Sequence, residues 1–251
     1  MARLVLVHGA FAGAWKWSRL IEPLQAAGHA VEAIDLPGSG DDRTPIEDVT
    51  LDAYVDRVIA QLEERPAPAV LIASSMGGVV VTQTAARRPE LVAGIIYVAA
   101  FAPRDGQSLL ALTQLPEGAD DQVQANLVVE GDPPVAKMSQ EASRSAAYLE
   151  TSDEDFEWAS PQHRPQPLQP FGATVRIPAG SLDSIPRAYV LCTLDCSIPP
   201  ALQRRMIDEN GIEHVIEIET DHSPMVSRTQ ELAEAIDELL SSMGLAEEAV
   251  R

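Results

Sequence analysis

Positive charge is scarce in this sequence: 18 Lys and Arg residues stand against 38 Asp and Glu, for a net charge of −20. So acidic a chain repels phosphate backbones and anionic membrane surfaces, which excludes nucleic acid as an expected partner. Lysine is scarcer still and occurs at Lys16 and Lys137 alone. The cysteines are only Cys192 and Cys196, too few for a disulfide framework or a zinc site. No apolar run approaches the ~18–20 residues needed to cross a bilayer. Met1-Ala2-Arg3 opens no basic segment followed by a long apolar stretch. The expectation is a cytoplasmic protein with no membrane partner. Disorder is excluded over most of the chain, because 45% of the residues are apolar.

What is present is a rhythm. Short apolar runs at Leu4–Val7, Ala30–Ile34, Val70–Ala73, Ala93–Ala100, Arg187–Cys192 and His214–Ile218 read as buried strands. Between them, helical spacing predicts helices over Trp17–Ala27, Leu51–Leu62, Gly77–Arg87, Pro199–Asn210 and Thr229–Met243. Strand–helix alternation predicts an α/β protein with a mostly parallel sheet and helices on both faces. Residues 103–185 break the rhythm. They are proline-rich, carry acidic clusters and show no clear strand run, with short helices predicted near Gln107–Leu115 and Ser139–Leu149. A stretch of roughly 80 residues is too long for a loop. It is expected to form a helical lid over a core built from residues 1–102 and 186–251. The tail Leu245–Arg251 is expected to fray.

Residues 69–80 carry the chemistry. The buried run Ala69–Ala73 leads into Ser74-Ser75-Met76-Gly77-Gly78 and then into a helix. This is the strand–turn–helix setting of the G-x-S-x-G elbow, with Ala73 in place of the first glycine. A nucleophile in a strained turn needs small neighbours two residues away on each side. Register therefore favours Ser75 over Ser74, because Gly77 then falls two residues later. The Met76 N–H and the helix N-terminus would face a developing oxyanion.

Serine hydrolases with this elbow carry their partners in the order serine, acid, histidine, after late strands. Asp195 follows the strand ending at Cys192, and His222 follows the strand ending at Ile218. Asp195 would hold the imidazole, and His222 would take the Ser75 proton. Asp221 is the alternative acid, but its place beside His222 suits a structural acceptor better. His29 precedes an early strand, His214 starts a strand at the wrong end of the sheet, His163 lies in the proline-rich insertion, and His8 is expected to brace the first loop. That loop, His8-Gly9-Ala10-Phe11, offers a second oxyanion donor from Ala10 or Phe11, with Ala10 preferred. Phe11, Trp158 and Met225 are the expected substrate contacts. No metal ligand set is expected.

With these residues in place, the sequence resembles the plant methylesterase and hydroxynitrile lyase family of α/β-hydrolases. The stretches that carry the resemblance are His8–Trp15, Gly28-His29, Asp35-Leu36, Ser75–Gly78, Cys192–Pro200, Gln203-Arg204, Met206–Asp208 and Asp221-His222. The resemblance implies the α/β-hydrolase fold and Ser75, Asp195 and His222 as triad. It implies the Ala10 and Met76 amides as oxyanion hole, a small apolar pocket under the lid, and no cofactor. The lyases of that family carry Thr or Asn where Gly9 stands, and one subgroup has Lys where this chain has Ser223. Hydrolysis of a small ester, including a methyl ester, is therefore the expected activity. A C–C lyase and a non-catalytic small-molecule binding protein are the alternatives. A homodimer is left open.

Overall fold

The computed structural model describes residues 1–246. Its centre is a six-stranded sheet, all parallel, formed by β1 (Arg3–Val7), β2 (Ala30–Ile34), β3 (Ala69–Ser75), β4 (Val92–Ala100), β8 (Arg187–Cys192) and β9 (His214–Ile218). The strand order is β2-β1-β3-β4-β8-β9.

Alternation along the strands divides the core into two layers. Val5, Val7, Leu71, Ala73, Ile95, Tyr97, Tyr189 and Leu191 pack on one face. Leu4, Leu6, Val70, Ile72, Ile96, Val98, Ala188 and Val190 pack on the other. Along β1, β3, β4 and β8 nearly every residue is buried on one side or the other, which is why these strands read as apolar runs, while the edge strands β2 and β9 are only partly covered. Helices Leu51–Glu63, Gly77–Arg87 and Pro200–Asn210 cover the first face. Helices Ser18–Ala26 and Thr229–Ser242 cover the second. The local stop signals act as the sequence suggests. Thr50 caps its helix by accepting the Ala53 N–H at 3.0 Å, and Gly211 ends another at φ 59°.

Between β4 and β8 lie short helices at Leu109–Thr113, Gln122–Asn126, Gln140–Ala147, Asp153–Ala159 and Gln169–Gly172. The same stretch holds a three-stranded antiparallel sheet of β5 (Val128–Glu130), β6 (Val135–Lys137) and β7 (Gln166–Pro167). Sequence reading gave helices there and no sheet. These strands are two or three residues long and β5 is exposed throughout, so no period of two can develop. At the other end, Leu245 and Ala246 donate to the Leu240 carbonyl at 2.8 and 3.2 Å, so these two residues are tied to the last helix. The rest of the expected frayed tail, residues 247–251, lies outside the described residues.

The chain runs from β1 outward to β2 and then returns past β1 to β3. That reversal opens a crevice at the carboxyl ends of β1 and β3, the place where open α/β sheets bind ligands. His8-Gly9 and Ser75 stand at those two strand ends.

Candidate active site

The elbow is strained. Ser75 takes φ 53°, in the left-handed region that costs a side-chain-bearing residue of order 1–3 kcal/mol. Its surroundings enforce that conformation. A Cβ on Gly77 would stand 2.7 Å from the carbonyl oxygens of Val7 and His8. One on Gly78 would stand 2.1 Å from the Phe101 carbonyl oxygen. Glycine at both places lets the helix start press against the neighbouring strand ends. The β3–β4 register shifts between Ser74 and Ser75. Beside this shift the Tyr189 hydroxyl donates to the Ala100 carbonyl at 2.7 Å and accepts its N–H at 3.0 Å. Ser75 is half-buried and lines a cavity of about 420 Å³. Ser74 is fully buried, with its hydroxyl unpartnered among the described residues, and is absent from the cavity wall.

His222 lines the same cavity. Its Nδ1 lies 2.8 Å from Asp195 Oδ2. That carboxylate is buried and fully engaged. Oδ1 accepts the Ser197 and Ile198 N–H groups at 2.7 and 2.9 Å, and Oδ2 accepts from Gln203 Nε2 at 3.1 Å. The bond fixes the imidazole with Nδ1 as donor and leaves Nε2 able to accept a proton. Asp221 does other work. Its Oδ1 takes the Ser223 N–H and the Ser227 hydroxyl at 2.9 and 3.0 Å. Its Oδ2 takes the Glu150 N–H and the Thr151 hydroxyl at 2.8 and 3.0 Å.

Gly9, Ala10, Phe11 and Met76 border the cavity beside Ser75. A Cβ at Gly9 would come 2.6 Å from the Ser75 Cβ, so glycine is what lets the first loop approach the serine. The Phe11 N–H points at Gln166 Oε1 at 3.4 Å. The Ala10 and Met76 N–H groups have no acceptor among the described residues.

His8 is fully buried and held neutral. Its Nε2 accepts the Leu36 N–H at 3.1 Å, and its Nδ1 donates to the Gly9 carbonyl at 2.7 Å. Burial lowers its pKa from 6.5 to about 4. His163 is lowered to about 4 as well, by burial and then by the charge of Lys16. The unfolded chain therefore binds more protons than the native one between these values, and stability falls as pH drops below 6.5. Each histidine contributes a loss of up to about 2 kcal/mol at pH 5, at 1.36 kcal/mol per pH unit. Urea midpoints at pH 7 and pH 5 are expected to show this loss, and His163→Gln to remove part of it. Equal midpoints at the two pH values would refute the assignment.

Of the expected substrate contacts, Phe11 lines the cavity, and two others do not. Trp158 packs edge-on against Trp15 at 5.6 Å and carries the Arg19 guanidinium on its outer face at 4.6 Å. Met225 belongs to a short helix, Pro224–Ser227, that turns it into the core among the second-face residues. Trp158 is expected there from its place in the insertion and Met225 from following His222, and neither position tells which way the side chain turns. Sequence reading missed Lys16, Tyr148, His163 and Asp121, which all line the cavity. The available signal was Lys16 itself, a lysine between Trp15 and Trp17 at the start of an apolar helix. Among the described residues no group of three or more His, Cys, Asp or Glu side chains comes together as a metal site.

Comparison with known proteins identifies the family to which this fold belongs. The alpha/beta hydrolase family pattern matches residues 4–235, and the chain belongs to that family. Methylesterase 7 of Arabidopsis thaliana is 32% identical over 248 residues, covering 94% of this chain and 95% of its own length. The alpha-hydroxynitrile lyase of the same plant is 30% identical over 243 residues, covering 92% of this chain and 94% of its own. Among solved structures, a methylesterase from Arabidopsis superposes with a TM-score of 0.83 at 25% identity, covering 96% of this chain and 100% of that one.

Proposed function

We propose that this protein is a serine carboxylesterase acting on a small ester, with methyl esters as the leading class. The observation that carries the proposal is His222, fixed by Asp195 behind it and lining one cavity with a strained, half-buried Ser75. The names of the relatives support ester hydrolysis. A cavity of about 420 Å³ suits a small acyl or alcohol group.

The reaction follows from the residues. Substrate in the cavity draws the Ser75 hydroxyl and His222 Nε2 into hydrogen-bond contact, a closing step usual when such sites bind substrate. Ser75 Oγ attacks the ester carbonyl carbon while Nε2 takes its proton. The carbonyl oxygen becomes an oxyanion and accepts the Ala10 and Met76 N–H groups, with the N-terminus of helix Gly77–Arg87 behind it. The C–O bond to the alcohol then breaks, and His222 returns the proton to the departing alkoxide. Water, deprotonated by the same nitrogen, releases the acid from the acyl-serine.

A fluorophosphonate probe tests the reading directly. One equivalent is expected on Ser75, found by peptide mass, with loss of methyl-ester turnover. Failure of Ser75 to react would overturn it. The acid is tested separately. Asp195→Asn is expected to lower kcat by roughly 10⁴, because the amide favours the wrong imidazole tautomer. A decrease below about tenfold would remove Asp195 from its role.

A further inference from the structure

Lys16 has a position that the ester chemistry leaves unused. It lies in the turn Ala14–Trp17, is buried at 5% exposure, and lines the cavity together with Ser75 and His222. No carboxylate stands within ion-pair distance of its ammonium among the described residues. The contact it makes is with the ring face of Tyr148, 5.4 Å from the centroid. The other lysine, Lys137, pairs on the surface with Glu130. In a chain with 38 acidic residues, a structural lysine would have partners in plenty.

The one carboxylate that also borders the cavity, Asp121, is committed elsewhere. It caps a short helix, accepting the Val123 and Gln124 N–H groups at 2.7 and 3.0 Å, and takes Gln124 Nε2 at 3.3 Å. The remaining wall is largely apolar, with Phe101, Leu109, Leu168, Phe171 and Ile198. An unpaired ammonium in such a wall is costly, and a partner that arrives with the ligand offsets the cost. The surface field adds a reason. A net charge of −20 turns anions away, so an anionic ligand needs a local cation to be held.

We propose that Lys16 selects the substrate: it binds a carboxylate that the substrate carries in addition to the ester being cut, so that monoesters of dicarboxylic acids are preferred over neutral esters. The proposal rests on the esterase reading for its reaction but not for its binding step. Three ammonium donors on a flexible stem suit one or both carboxylate oxygens, and contacts of this charge-assisted kind are strong where water is excluded.

The test uses methyl monoesters of four- to eight-carbon dicarboxylic acids, each beside the matching amide-ester, which keeps shape and loses charge. The wild-type chain is expected to favour at least one acid-ester over its amide, by kcat/KM. Lys16→Met is expected to lower that ratio by roughly ten- to hundredfold, mainly through KM. Lys16→Arg is expected to retain part of it, and Lys16→Gln serves should the methionine variant misfold. A ratio unchanged by the substitution, or no acid-ester favoured by the wild type, overturns the proposal. Calorimetric binding of glutarate and of its diamide, which keeps the shape and carries no carboxylate, separates the two readings, since it needs no turnover. Tighter glutarate binding that Lys16→Met abolishes supports Lys16 even if Ser75 proves unreactive. Equal binding of the two probes overturns it even if Ser75 is labelled.

Discussion

Ser75→Ala removes ester turnover, with kcat falling by a factor on the order of 10⁵–10⁶. The size follows from what the hydroxyl does. Without Oγ there is no acyl-enzyme, and His222 has no proton to take. On the proposed mechanism what remains is the pair of amides at Ala10 and Met76, which would hold and polarise the carbonyl but leave attack to unassisted water. The fold is expected to survive. Ser75 Oγ makes no hydrogen bond among the described residues, and alanine bears the same strained φ of 53° as serine. The urea midpoint therefore moves little. Ser74→Ala is the matched control, because that hydroxyl is buried, unpartnered and off the cavity wall. Comparable losses in the two variants, or more than about a tenth of wild-type activity in Ser75→Ala, would reassign the nucleophile.

Lys16→Met is expected to stabilise the protein at neutral pH by about 3 kcal/mol. Burial lowers the Lys16 pKa from 10.5 to about 8, an effect that the charges of Asp221 and Asp195 only partly oppose. At 1.36 kcal/mol per unit, holding the ammonium charged in the fold at pH 7 costs about that much relative to the unfolded chain. The sign with pH is definite. Between about 8 and 10.5 the unfolded lysine keeps a proton that the native one has released. The wild-type chain then gains stability with rising pH from this group, and the advantage of Lys16→Met shrinks through the same window. Around Lys16 stand Asp195, Asp221, Cys192, His8, His163, His222 and Tyr148. Cys192 and Tyr148, both pushed up by burial, work in the opposite direction at higher pH. They are present in both proteins, so the comparison largely cancels them. Urea unfolding at pH 7 and pH 9.5 measures it. A variant no more stable than wild type at pH 7 would show that the ammonium is better compensated than its contacts indicate.

A buried lysine that lines the cavity is hard to find from sequence, because lysine ordinarily stays on the surface. The central sheet is easier to read. Both faces of β1, β3, β4 and β8 are covered, and an apolar run bounded by Gly, Pro or an acidic turn has few other readings. The places of Ser75, Asp195 and His222 follow from the same logic, since all three sit just beyond or at the carboxyl ends of parallel strands. The insertion escapes it. Its small sheet pairs β6 with a two-residue strand at Gln166-Pro167, beyond the helices Gln140–Ala147 and Asp153–Ala159, and nothing local announces that pairing. Trp158 and Met225 show the remaining gap. Sequence places each near the site, but packing turns one toward Arg19 and the other into the core.

One carboxylate joins the roof of the cavity to the base of the reaction. Asp221 takes donors from Glu150 and Thr151 in the insertion and from Ser223 and Ser227 beyond His222. Swinging the insertion outward as a rigid flap would strip this buried group of half its donors, at about 1–3 kcal/mol for each one lost. The same movement would slacken the imidazole's own loop. Traffic through the doorway thus falls to individual side chains at the rim, where Leu110 and Val129 stand about half exposed, at 48% and 56%. On the esterase reading, substrates would then be screened by girth at that rim before the chemistry begins.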